Sequence, residues 1–131
     1  MATIIKDIDL AAPADRVWAM LRDPGAAAAA FPNVLTASHL EGGVRSVTFA
    51  NGVVVRERIV TIDDDRRRIA YGVIEGRLTL YNASLQVTPT GERACRVRWI
   101  SDFLPDDAAS VVAPLVEQGS AALAAAVADR S

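Results

Sequence analysis

Residues 3–10 (TIIKDIDL) alternate apolar and polar side chains with a period of two, the pattern of a half-buried strand. Pro13 then opens a helix, with Val17, Trp18 and Leu21 at helical spacing, and Asp23-Pro24-Gly25 closes it. The alanine run 26–30 predicts a second short helix, ended by Phe31-Pro32. From Val34 to Asp102 the chain reads as strands over 34–40, 44–50, 53–62, 66–74, 79–88 and 94–102. Glu41-Gly42-Gly43, Asn51-Gly52, Asp63-Asp64-Asp65, Glu75-Gly76 and Pro89-Thr90-Gly91 supply the turns. Connections this short leave no room for crossover helices, so the sheet is antiparallel. After Pro105, the residues Val112, Leu115, Val116, Gly119, Leu123 and Val127 form one stripe of a helix running to about Ala128. Pro114 either sets the start of its regular part near Ser110 or kinks it. The order is strand, two short helices, six strands, long helix. It predicts one α+β domain over 1–131, a seven-stranded antiparallel sheet curled around the terminal helix.

Alternation assigns the concave face. Strand 79–88 turns Thr79, Tyr81, Ala83, Leu85 and Val87 inward, and strand 94–102 turns Cys95, Val97, Trp99 and Ser101 inward. Ile69, Tyr71 and Val73 face in from the strand before them. In 53–62, placing Arg56 and Arg58 in water forces Val55, Glu57 and Ile59 inside. The preceding strand offers Arg45, Val47 and Phe49. These two faces coincide only with a three-residue loop, Ala50-Asn51-Gly52, in which Gly52 takes a positive φ. That register sets Phe49 opposite Val53, Val47 opposite Val55 and Arg45 opposite Glu57.

An arginine and a glutamate facing each other inside an apolar hollow are expected to pair, because either charge alone would be costly there. The pair reads either as a structural salt bridge near the sheet edge or as an anchor for a ligand carbonyl or hydroxyl, with Glu57 as a proton acceptor. Burial would raise the Glu57 pKa and Arg45 would lower it. Tyr71 and Tyr81 either stack on a ligand and offer hydroxyls to it or fill the core. Trp99 reads as a wall and Ser101 as a small inward hydroxyl. His39 falls on the exposed face of its strand, and Cys95 reads as a small buried hydrophobe. Gly119, Ala122 and Ala126 on the helix either leave a hollow unfilled or let helix and sheet approach closely.

Composition narrows the chemistry. The 131 residues include 24 alanines and seven aromatics, and 13 of the 14 basic residues are arginine, with a net charge of −2. One cysteine and one histidine cannot build a Cys/His zinc site or an intrachain disulfide. No GxSxG, GxGxxG or GxxxxGK[ST] string is present. Scattered arginines give no nucleic-acid footprint. The first ten residues lack the pattern of a signal peptide, and Glu117, Gln118 and Ser120 read as too polar for a membrane-spanning helix. The expectation is a cytoplasmic domain without metal or cofactor, without a nucleic-acid or membrane partner, and a monomer or weak homodimer.

Pro13 to Trp18, Phe31-Pro32 before Val34, GGVRSVTF (42–49), RERIVTIDDDRRRIAY (56–71), VIEG (73–76) and RVRWISDFLPDD (96–107), in this order and spacing, resemble the helix-grip START/SRPBCC superfamily. That superfamily includes START domains, birch-pollen-type allergens and bacterial polyketide cyclase/dehydrase-like proteins. Phe31 departs from it, standing where relatives often carry Trp. The resemblance covers nearly the whole chain. It implies a hollow between sheet and helix that takes a hydrophobic small molecule such as a lipid, steroid, polyketide or flavonoid-like compound. Some members act on such ligands by metal-free acid/base chemistry, and others only bind or carry them. On this reading Glu57, Tyr71 and Tyr81 are the candidates for moving a proton. Arg45, Phe49, Val55 and Ile69 from the sheet, together with Trp99, Ser101, Leu115 and Gly119, are the candidates for touching ligand. Three functions stay open: a binder of a ring-containing small molecule, a cyclase, dehydratase or isomerase, and an interaction domain whose hollow is vestigial.

Overall fold

The computed structural model describes residues 2–130. Strand β1 (Ala2–Leu10) leads into helix α1 (Ala14–Leu21), a 3₁₀ turn (Pro24–Ala26) and the one-turn helix α2 (Ala27–Ala30). Strands β2 (Leu35–Glu41), β3 (Val44–Phe49), β4 (Val54–Asp63), β5 (Arg68–Glu75), β6 (Leu80–Gly91) and β7 (Ala94–Leu104) follow. A second 3₁₀ turn (Asp106–Ala108) then opens helix α3 (Ala109–Asp129). The strands form one antiparallel sheet in the order β1-β7-β6-β5-β4-β3-β2. This is the helix-grip architecture, with α1 and α2 between the first two strands.

The turns behave as their residues require. Gly42 and Gly43 both take positive φ (58° and 78°), the two-residue hairpin conformation that matches strand twist. At the next hairpin Gly52 has φ 87° and Phe49 N–H donates to the Val53 carbonyl at 2.9 Å, closing the three-residue loop. Arg45 therefore pairs with Glu57 and Val47 with Val55. Among the described residues the sheet carries four register shifts that alternation alone does not predict, and two of them lie between Leu35 and Ala37 and between Ile59 and Thr61. A bulge between Leu35 and Ala37 turns Leu35 toward Phe49 and leaves Thr36 exposed, and a second around Val60 breaks the β4–β5 register. Both follow from ladder geometry: an extra residue on one strand shifts every later side chain to the other face.

The core lies between the concave face and the helices. Val17, Val97 and Phe103 are fully enclosed, as is Leu123 of α3. Val112, Val116, Leu123 and Val127 form the buried stripe of α3, each contributing about 1.5–3 kcal/mol of burial. Pro114 sits within α3; its missing N–H leaves the Ser110 carbonyl free of a helical partner without ending the helix. By length and composition the stretch Asp106–Asp129, which contains an 18-residue window of mean hydropathy 1.5, is apolar enough to cross a membrane. The polarity of Glu117, Gln118 and Ser120 therefore does not exclude a span, contrary to the sequence expectation. The apolar stripe of this helix is instead packed against the sheet and α2.

At the far end of α1, Asp64 in the β4–β5 turn accepts from Trp18 Nε1 at 2.8 Å and from Arg22 Nε at 2.8 Å. The turn is thereby stapled to the helix. On the convex face Arg96 and Arg98 of β7 pair with Asp9 and Asp7 of β1 at 2.8 Å each.

Candidate functional site

Between the curl of the sheet and the N-terminal half of α3 lies a cavity of about 410 Å³. This falls in the size range of small-molecule sites. Its floor is built by β5, β6 and β7 through Ile69, Tyr71, Tyr81, Leu85 and Trp99. Its far wall is the β3–β4 hairpin, with Arg45, Phe49, Val55 and Glu57, and its roof is Val111, Val112, Leu115, Val116 and Gly119 of α3. Val54, Val111 and Leu115 are exposed apolar residues on the rim, between the hairpin tip and the helix.

Of the residues singled out in the sequence, Glu57, Tyr71, Tyr81, Arg45, Phe49, Val55, Ile69, Trp99, Leu115 and Gly119 all line this one space. Ser101 does not. It is fully buried and its hydroxyl is hydrogen-bonded to that of Tyr81 at 2.9 Å, so it sits behind the tyrosine and positions it. His39 is exposed and lies 3.7 Å from Glu41, away from the cavity. Cys95 is buried, and burial raises its thiol pKa.

Sequence reasoning missed Phe31, Met20, Leu21 and Leu78, all of which line the cavity. Phe31 packs on Trp99 with ring centroids 5.7 Å apart. Its apolar ring just after α2 was the available signal, but nothing local says which sheet residue it meets. Phe103, fully buried and stacked 6.3 Å from Tyr81, continues the inward alternation of β7 beyond the point where the strand was expected to end.

The polar centre is one ion pair. Arg45 and Glu57 are each only 7% exposed. Arg45 Nε donates to Glu57 Oε1 at 2.8 Å, and Nη2 lies 2.8 Å from the same oxygen. The guanidinium also stands 4.7 Å over the Tyr71 ring, a cation–π contact. Both guanidinium contacts converge on Oε1, and Glu57 Oε2 takes no hydrogen bond from the described residues. Burial raises the Glu57 pKa above its ordinary value, and the charge and hydrogen bond of Arg45 oppose the shift without cancelling it. Burial likewise pushes the Tyr71 hydroxyl well above the usual tyrosine range and raises that of Tyr81. The cavity favours neutral groups.

Gly119 resolves one sequence alternative. A Cβ there would stand 2.8 Å from both Cη2 and Cζ3 of Trp99, so the glycine admits the indole against the helix backbone. Close approach, not unfilled volume, is its role. Among the described residues no three His, Cys, Asp or Glu side chains come together to hold a metal ion.

Residues 1–130 match the family described as polyketide cyclase / dehydrase and lipid transport. The chain belongs to that family. No curated protein matches its sequence. Among solved structures, a START superfamily protein from Mycobacterium smegmatis superposes with a TM-score of 0.85 at 12% identity, covering 98% of this chain and 99% of that one. A protein from Thermobifida fusca is 30% identical with a TM-score of 0.78, over 95% and 91% of the two chains. Norcoclaurine synthase from Thalictrum flavum, in complex with dopamine and hydroxybenzaldehyde, is 25% identical with a TM-score of 0.74, over 98% and 84%. Membership and fold together support a ligand-binding or cyclase role, with a hydrophobic small molecule as the partner.

Proposed function

We propose that this domain binds a hydrophobic, ring-containing small molecule, polyketide- or lipid-like, inside the cavity. The observation that carries the reading is the cavity itself: about 410 Å³, walled by aliphatic and aromatic side chains, with one internally neutralised ion pair as its polar centre. Native interiors leave few voids of this size unless something fills them. Tyr71, Tyr81, Phe49 and Trp99 supply ring faces for stacking, and Val55, Ile69 and Leu115 supply aliphatic walls. Arg45 is the polar anchor. The norcoclaurine synthase with a similar fold was determined with two aromatic compounds, which agrees in ligand chemistry. Native mass spectrometry of protein purified from its own host is expected to show a retained mass that is lost on denaturation. A protein that carries no ligand and binds neither lipids nor aromatic probes would overturn the proposal.

A second reading is favoured by Glu57. Its pKa is raised by burial, and Oε2 takes no hydrogen bond from the described residues in a side chain that lines the cavity, so the carboxyl is placed to exchange a proton with a substrate. In this reading the domain is a cofactor-free cyclase, dehydratase or isomerase on a polyketide-like substrate. The cavity folds the substrate, and Glu57, Tyr71 or Tyr81 moves the proton. Glu57→Gln separates the two: it abolishes turnover and leaves binding if the site is catalytic, and affects binding alone if it is not.

A further inference from the structure

The convex face of the sheet carries an ordered pattern that the cavity does not use. The helices pack on the inward-facing side chains, and no described helix covers the outer ones. The ladder registers align those outer side chains in three rows across β1, β7, β6, β5 and β4. The middle row is Ile5, Ile100, Ser84, Ala70 and the bulged Val60. Along one side of it run Thr3, Asp102, Asn82, Gly72 and Arg58, and along the other Asp7, Arg98, Gln86, Arg68 and Asp63. Ile5 is 58% exposed and Val60 68%. An apolar band rimmed by polar rows marks a contact surface.

Side-chain size along the band follows the curl of the sheet. Ser84 and Ala70 sit at the crest, where a hollow of about 250 Å³ opens, and Ile5 and Val60 stand at the two ends, where a convex surface falls away. The flanking rows say what meets this band. A two-fold axis lying along it brings each middle-row residue against its own copy and lays one flanking row on the other. Asp102 then meets Arg98 of the second copy, Arg58 meets Asp63, Thr3 meets Asp7 and Asn82 meets Gln86. Arg68 falls over Gly72, where Asn82 Oδ1, 2.6 Å from the place a glycine Cβ would take, offers an acceptor. Arg58 and Arg68 make no ion pair among the described residues of their own chain. An axis turned to run along the strands would instead set Arg98 on Arg68 and Asp7 on Asp63. The charges of the two rows, three of each sign, sum to zero, which suits a copy of the same face and offers no net attraction to a nucleic acid or an anionic membrane.

We propose that two copies of this chain associate through their convex faces, sheet on sheet, about a two-fold axis along the band from Ile5 to Val60. Strands about 4.8 Å apart and rows about 6.7 Å apart give a footprint of roughly 500 Å² on each copy, a total near the low end of specific interfaces. The dimer is therefore weak and reversible. The cavity lies on the other side of the sheet and is not closed by it.

Sedimentation velocity of the full chain between about 10 µM and about 1 mM tests this, the range in which a small interface comes apart. The mean mass is expected to rise with concentration toward twice that of the monomer. Val60→Lys and Ile5→Lys, at opposite ends of the band, each set two like charges against one another across the axis and raise the dissociation constant about tenfold or more. Both positions are exposed, circular dichroism checks that the fold is kept, and either variant decides if the other unfolds. A short bis-maleimide fixes the axis, since the native Cys95 is buried. Ile5→Cys couples to its own copy, whereas Thr3→Cys couples only when mixed with Asp7→Cys. A chain that stays monomeric throughout, a dimer indifferent to both lysines, or Thr3→Cys coupling to itself as readily as Ile5→Cys each overturns the inference.

Discussion

The Arg45–Glu57 pair can be taken apart one charge at a time. Opposite unit charges about 4 Å apart attract by roughly 4 kcal/mol at an effective dielectric near 20. Burying each ion costs several kcal/mol, so the pair as a whole contributes little, and breaking it contributes a great deal of instability. Both partners are 7% exposed, so solvent screening discounts this little. Arg45→Met and Glu57→Leu are each expected to lose about 3–5 kcal/mol at pH 8, and the double variant to return to within about 1 kcal/mol of the parent. The singles should respond differently to pH. A guanidinium cannot shed its proton, so the charge stranded in Glu57→Leu is not relieved on acidification. A stranded Glu57 can take one up. Its pKa is already raised by burial, and losing Arg45 removes what opposed the rise. A raised carboxyl pKa means that the folded state holds the proton more tightly. Its stabilising contribution is complete below the ordinary glutamate value and is lost as pH rises through the raised one. The deficit of Arg45→Met therefore narrows toward pH 5. Urea denaturation at pH 5 and pH 8 measures all three variants, and subtracting the parent removes the titration of shared carboxylates. Singles that cost under about 1 kcal/mol and simply add in the double variant would refute the argument, as would an Arg45→Met deficit that does not narrow on acidification.

Two further predictions rest on single contacts. Gly119→Ala gains about 1 kcal/mol of helix propensity, yet its Cβ would press on Trp99 at 2.8 Å, so a net loss is expected in the parent and a gain in a Trp99→Phe background; denaturant midpoints of the parent and the three variants decide it. Asp64→Ala is expected to lower the melting temperature at neutral pH by stranding the Trp18 N–H. Because Arg22 and Trp18 hold the Asp64 pKa below its ordinary value, its contribution is present above the usual aspartate range and fades as pH falls through the lowered pKa, closing the gap between the two proteins in acid.

How much of this was legible in the chain depended on the range of the signal. Strict alternation placed Tyr71, Tyr81 and Trp99 on one face, since a period of two holds wherever a strand is regular. The Arg45–Glu57 juxtaposition followed from one hairpin, because an apolar Phe49 excluded the two-residue loop. What escaped was long-range or irregular. Bulges at Thr36 and Val60 leave no mark in an alternating pattern. The packing of Phe31 on Trp99 joins residues 68 positions apart in sequence. Ser101 obeyed the alternation and still missed the cavity, because Tyr81 on the next strand is long enough to cover it. Facing inward is a property of the backbone; touching the cavity depends on neighbours.

The contact between Gly119 and Trp99 also divides the long helix into two unequal stretches. Every α3 residue on the cavity wall, from Val111 to Gly119, precedes or forms that contact, and the buried residues after it, Ser120, Leu123, Ala126 and Val127, belong to the core alone. The indole works as a strut that holds helix and sheet apart at one fixed span. Side chains before the strut can be exchanged for larger or smaller ones and reshape the cavity, while the anchorage beyond it is left alone. A fold arranged in this way can change what it holds without renegotiating how it stands.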